Sequence, residues 1–126
     1  MIHRPRRREV LVTAPFRRAF ADLARHYEAL RPVFPDSGAR LGAFSTDLFD
    51  RIVPLLERDA DIGRPYLLRK LDSPVETGVL TELLPELAGQ GAVAREWIER
   101  EFSILYLVTS TRVLLVNLKH HRQSGY

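Results

Sequence analysis

Apolar positions along the chain change period twice, and each change marks a different kind of element. Glu9-Val10-Leu11-Val12-Thr13 alternates, with Val10 and Val12 on one face, and predicts a short strand. From Ala14 the period is helical. Phe16, Ala19, Phe20, Leu23, Ala24, Tyr27 and Leu30 fall on one face, and Arg17, Arg18, Asp22 and Arg25 on the other. Thr13 is placed to cap that helix, Pro15 is tolerated in its first turn, and Pro32 and Pro35 end it. Residues 31–44, with Pro, Asp, Ser and Gly, predict a loop. Ser45 then caps a second helix with the stripe Leu48, Phe49, Ile52, Val53 and Leu56, kinked or broken at Pro54. Asp61-Ile62-Gly63-Arg64-Pro65 reads as a stop and turn. Ser73-Pro74, followed by Val75, Val79, Leu80, Leu83, Leu84 and Leu87, predicts an extra helix around 74–88, although Pro85 argues against a long straight one.

The final third returns to strand patterns. Residues 93–100 alternate loosely around Trp97, and Phe102-Ser103-Ile104-Leu105-Tyr106-Leu107-Val108 is rich in aromatic and branched residues. After the turn Thr109-Ser110-Thr111, residues 112–119 form a second strong strand, so the pair predicts a hairpin. Strict alternation puts Asn117, Lys119 and His121 on one face. It puts Leu114, Val116 and Leu118 on the other, suited to packing on helices. Val113 and Leu115 then fall, although apolar, on the polar face, where they would meet the extra helix or a partner. The expectation is an α+β domain spanning 1–126. An N-terminal strand and two or three helices pack on one face of a small twisted antiparallel sheet.

Composition narrows the chemistry more than the fold. A chain of 126 residues, 45% hydrophobic and 28% charged, suits one domain. The absence of cysteine excludes disulfides, thiolate zinc sites and a cysteine nucleophile, and fits a reducing cytosol. No apolar run approaches the roughly 20 residues that span a bilayer. The basic start, Arg4 and Arg6 to Arg8, is followed only by Val10-Leu11-Val12, too short for a signal peptide, so a soluble cytoplasmic protein is expected. That basic run is read as a solvated segment, or as one touching ribosomal RNA or DNA. Net charge is +3, carried almost wholly by arginine; Lys70 and Lys119 are the only lysines. Arginine suits bidentate phosphate contacts, although a GC-rich genome produces the same bias. No metal site is expected, because His120-His121 lacks acidic neighbours and His3 and His26 lie far away. No glycine-rich phosphate loop and no cofactor are expected.

The order of elements, together with three motifs, resembles the RelE/ParE superfamily, the toxins of type II toxin–antitoxin systems. The motifs are the Gly63-Arg64-Pro65 turn, the Phe102–Val108 strand with its aromatic-x-aliphatic-aliphatic-Tyr pattern, and a last strand running into Lys119-His120-His121-Arg122. The segment 72–90 departs from compact members, in which it is shorter. The resemblance implies, first, a ribosome-dependent messenger-RNA endonuclease working without metal. It implies, as alternatives, a ParE-like poison of DNA gyrase, or an inactive member that only binds its antitoxin. The implied partners are a cognate antitoxin with the ribosome and mRNA, or with gyrase, and no membrane.

RNA cleavage of this kind needs a group to move the 2′ proton, a cation for the phosphate charge and an acid for the leaving 5′ oxygen. By resemblance, Lys119, Arg122 and Tyr126 have the spacing of family catalytic residues, and His121 adds a side chain that titrates near neutral pH. Arg95, Arg100 and His120 are the implied nucleic-acid contacts. Each has a plainer reading. Lys119 suits a solvated strand end, either histidine suits the surface, and Tyr126 suits a fraying tail. Arg95 suits a surface pair with Glu96 or Glu99, and Trp97 suits core or interface.

Overall fold

A computed structural model describes residues 7–65 and 93–120. The predicted helix around 74–88 and the tail residues His121, Arg122 and Tyr126 lie outside the described residues. In chain order the elements are β1 (Glu9–Val12), α1 (Ala14–Leu30), α2 (Ser37–Asp47), a π-helical turn Leu48–Ile52 and α3 (Val53–Arg58). A 3-10 turn Ala60–Ile62, β2 (Arg64–Pro65), β3 (Val93–Glu99), β4 (Phe102–Val108) and β5 (Arg112–His120) follow.

Helix α1 forms where its period and cap place it. Thr13 Oγ1 accepts from the Phe16 N–H at 3.4 Å and donates to the Leu115 carbonyl at 2.7 Å, so the cap also fastens the helix start to β5. Pro15, Phe16, Leu23 and Tyr27 are buried; Ala24, expected on that face, is exposed.

The expected loop over 31–44 is shorter than predicted. Only 31–36 connect the helices, Asp36 is the residue before the first turn of α2, and Ser45 lies inside that helix. Gly38, Gly42, Ser45 and Thr46 are poor helix formers. Burial overrides them: Leu41, Phe44, Leu48, Ile52 and Leu56 make one continuous buried row at helical spacing. Pro54 acts as predicted. It has no N–H to give, the Val53 N–H bonds back five residues to Leu48, and α3 restarts with the proline in its first turn. Phe49, assigned to the stripe, is 56% exposed.

The sheet has the order β1-β5-β4-β3-β2. Strands β2 to β5 pair antiparallel, but β1 lies parallel to β5, so the sheet is mixed and not wholly antiparallel. The meander leaves β5 with a free edge, and β1 fills it. Thr13 N–H bonds to the Leu115 carbonyl at 3.2 Å as the chain turns into α1, which fixes the direction of entry.

One irregularity reverses an expectation about faces. Tyr106 pairs with Leu115, yet Leu105 pairs with Asn117, so Val116 is an extra residue in β5. Strict alternation therefore fails across it. Val113, Leu115 and Leu118 face the helices with Phe102, Ile104, Tyr106 and Val108. Leu114 and Val116, predicted to pack on the helices beside Leu118, instead join Leu11, Ala94, Leu105 and Leu107 in a second apolar cluster. Asn117 and Lys119, in register with Leu105 and Ser103, share that far face.

Candidate functional site

The polar residues of the far face gather across four strands. Lys119 on β5 is the register partner of Ser103 on β4, and Arg64 on β2 is the partner of Glu96 on β3. Ser103 Oγ donates to Glu96 Oε2 at 2.8 Å. Glu96 Oε1 accepts from Arg64 Nε at 2.7 Å and also from Arg64 Nη2. Glu96 is only 7% exposed and Ser103 2%, whereas the Arg64 side chain is 62% exposed.

Burial alone would push the Glu96 carboxyl up. Hydrogen bonds from Arg64 and Ser103, with the charges of Arg64 and Lys119, outweigh it and hold the group below the usual glutamate value. Glu96 is therefore a charged acceptor at neutral pH, suited to orienting cations and ill suited to taking a proton. Asn117, buried at the bulge, turns its Oδ1 onto the Leu118 N–H at 2.9 Å.

The other residues singled out in the sequence lie elsewhere. Arg95, in register with Tyr106, faces the helix side. Its Nη1 donates to the Gly63 carbonyl at 2.6 Å and the Asp61 carbonyl at 3.1 Å, and its Nε stands 3.5 Å from Asp61 Oδ1. Tyr106 completes this clamp: its hydroxyl donates to the Ala60 carbonyl and accepts from the Gly63 N–H, both at 2.9 Å. Burial raises the Tyr106 phenol above its ordinary value, against a partial lowering by the Gly63 N–H and Arg95. Arg95 thus holds the turn before β2. It pairs with neither Glu96 nor Glu99, which is bonded to Arg51 and, at 3.1 Å, to Trp97 Nε1. Trp97 packs against the helix-side core.

His120 also turns to the helix side, its ring 6.0 Å from Phe102 and nearly edge-on. Arg100 sits in the β3–β4 turn with a φ of 56°, and its guanidinium lies 3.2 Å from Asp47 Oδ2. The structure therefore separates Lys119 from Arg95, Arg100 and His120, and adds Arg64, Glu96 and Ser103 to its face.

Pattern alone does not single out these three, although one signal each points to Ser103 and Glu96. Ser103 is the only hydroxyl other than Tyr106 in an otherwise apolar strand, and Glu96 shares a face with the small buried Ala94. A polar residue at such a position needs a buried partner. Ser103 and Glu96 are each other's buried partner, and the cation that joins them, Arg64, comes from β2, a pairing that local pattern does not reveal.

Among the described residues no group of three or more His, Asp or Glu side chains is arranged to hold a metal. No helix among them is long and apolar enough to cross a membrane. No protein-family model matches the chain, and no curated protein matches it.

Proposed function

We propose that the chain is the toxin of a type II toxin–antitoxin pair of the RelE/ParE kind. It acts in the bacterial cytoplasm as a metal-independent, ribosome-dependent mRNA endonuclease that arrests growth. The observation that carries this reading is the position of Lys119. It lies on the sheet face away from α1, α2 and α3, beside the Arg64–Glu96–Ser103 group, on the strand whose sequence continues into His121-Arg122.

In the proposed reaction the RNA 2′ oxygen attacks the adjacent phosphorus and the bond to the 5′ oxygen breaks. The products are a 2′,3′-cyclic phosphate and a 5′-hydroxyl. Lys119 and Arg122 would neutralise charge gathering on the phosphate oxygens. His121 would take the 2′ proton, and Tyr126 or His121 would supply one to the leaving oxygen.

Expression from a tightly controlled promoter, with sequencing of RNA ends, tests the reading. Wild-type protein should arrest growth and leave cyclic-phosphate ends on ribosome-bound transcripts. Lys119→Ala should cut the cleavage rate by roughly a hundredfold, the effect of losing one such charge-stabilising donor. Intact transcripts on toxin-loaded ribosomes would sink it.

A ParE-like gyrase poison is the second reading. It is favoured by one observation: Glu96, the carboxylate of this group, has both oxygens engaged and its pKa held low, which suits binding better than proton transfer. Trapped gyrase–DNA breaks with intact RNA would select it. Harmless expression without antitoxin would select a member that only binds its antitoxin.

A further inference from the structure

On the far face of the sheet a buried carboxylate stands between an arginine and a lysine, and both cations belong to strands that do not touch each other. Strand order puts Arg64 and Lys119 three strand spacings apart, about 14 Å across the sheet, with Lys119 offset by two residues along its strand. Glu96 lies on the strand beside Arg64 and takes two of its N–H groups. Its other oxygen is tied to Ser103, the register partner of Lys119, and the Lys119 charge acts on the same carboxyl.

A carboxylate so poorly exposed is costly unless its partners compensate. Here every partner that compensates is one that the site would use or that leads to it. Ser103 donates its proton to the carboxylate and is therefore an aiming residue, not a nucleophile.

We infer that Glu96 is a positioning residue of the candidate site: it holds Arg64 on the same sheet face as Lys119, so that the two form a spaced pair of cations set to receive the phosphodiester backbone of single-stranded RNA. The inference rests on the RNA reading above, and it adds Arg64 to the phosphate contacts. Two cations and one anion leave the group with a net positive charge, so it still attracts phosphate while its geometry is held.

A positioning role predicts an effect of opposite sign to simple electrostatics. Glu96→Gln removes a negative charge, which by Coulomb attraction alone should tighten binding to a polyanion. If Glu96 positions the cations, the same change weakens binding.

The probe is a single-stranded RNA with 2′-O-methyl groups, which cannot be cleaved, titrated into the full chain. Affinity is read by fluorescence anisotropy, and contact at the site by the 13C signals of reductively methylated lysine. With two lysines in the chain, Lys119 is assigned by its loss in Lys119→Arg. Wild-type protein should bind with a shift of the Lys119 signal. Glu96→Gln should bind roughly tenfold more weakly at the same salt, the loss of about one well-placed interaction. Glu96→Asp should recover part of that loss.

Equal or tighter binding by folded Glu96→Gln overturns the positioning role while leaving the RNA reading intact. A wild-type Lys119 signal that RNA does not move overturns both. If Glu96→Gln fails to fold, Ser103→Ala decides, since it frees one oxygen of the carboxylate, loosening its aim without changing any charge. Unchanged RNA affinity in that variant overturns the inference, and several-fold weakening supports it.

Discussion

Gly63 has room for a hydrogen and little else. A Cβ there would overlap the Tyr106 hydroxyl and stand 2.9 Å from both the Tyr106 ring and the Glu96 carbonyl oxygen. Its φ is ordinary, so the constraint is close approach and not backbone conformation. Gly63→Ala should cost about 2–4 kcal/mol in chemical denaturation, from overpacking together with disturbed buried hydrogen bonds. Tyr106→Phe alone should cost about 1–3 kcal/mol by leaving the Gly63 N–H and Ala60 carbonyl without their hydroxyl. The double variant should fall short of the sum by about 1 kcal/mol, because phenylalanine lacks the atom that meets the new methyl most closely. Strict additivity would mean that the new methyl is accommodated by some other movement. The neighbouring Glu96 gives a pH prediction. Its carboxyl is held below its unfolded value, about 4.3 for glutamate. A depressed folded pKa contributes stability that is present above the unfolded value and lost as pH falls through the folded one. The stability difference between wild type and Glu96→Gln should therefore shrink as pH falls from about 5 towards 3. A difference that stays constant over that range counts against the charged carboxylate as a stabilising group.

At the scale of elements, β5 shows how far local pattern reaches. Its existence and length were legible from composition, as were those of α1 and β4. Its faces were not, because Val116 is inserted without any change in composition. Val113 and Leu115, which alternation assigned to a polar face, are helix-side core for that reason. The same limit hid α2, whose glycines and hydroxyl residues read as a loop until Leu41 and Phe44 are seen to complete a buried row. The bulge makes a prediction specific to this strand. Deleting Val116 should keep Leu115, Leu118 and Lys119 on their present faces, since it restores regular alternation. The protein should remain folded, losing at most the burial of one valine, about 1.5–3 kcal/mol. Deleting Leu114 instead forces Val113 or Leu115 off the helix side and should abolish soluble folded protein. Circular dichroism and denaturation of the two deletions decide it; equal damage from both would mean that the pairing is not organised by the bulge.

For the whole molecule, the consequential pairing is the parallel one between β1 and β5. It joins residues 103 apart in sequence, and Thr13 stands at the junction. This is also why the site was only half legible. Lys119 announced itself through its strand and the motif around it, and Glu96 reaches its face through the β3–β4 and β4–β5 hairpins, whereas Arg64 is brought there by a β2–β3 pairing of longer sequence separation. Phe16 of α1 and Val113 and Leu115 of β5 belong to one core, so the junction should be coupled to the entire fold and not to β1 alone. Thr13→Val keeps the shape of the side chain but removes the donor to Leu115 and the acceptor for the Phe16 N–H. It should cost about 1–2 kcal/mol, most of which Thr13→Ser restores. Amide hydrogen exchange separates a global loss from fraying. If the pairing closes the core, protection in β4 falls by the same free energy as in β1 and the first turn of α1. If only β1 and that first turn lose protection, the helices and the β3–β5 meander hold together without it, and the parallel strand is an addition to a fold already closed.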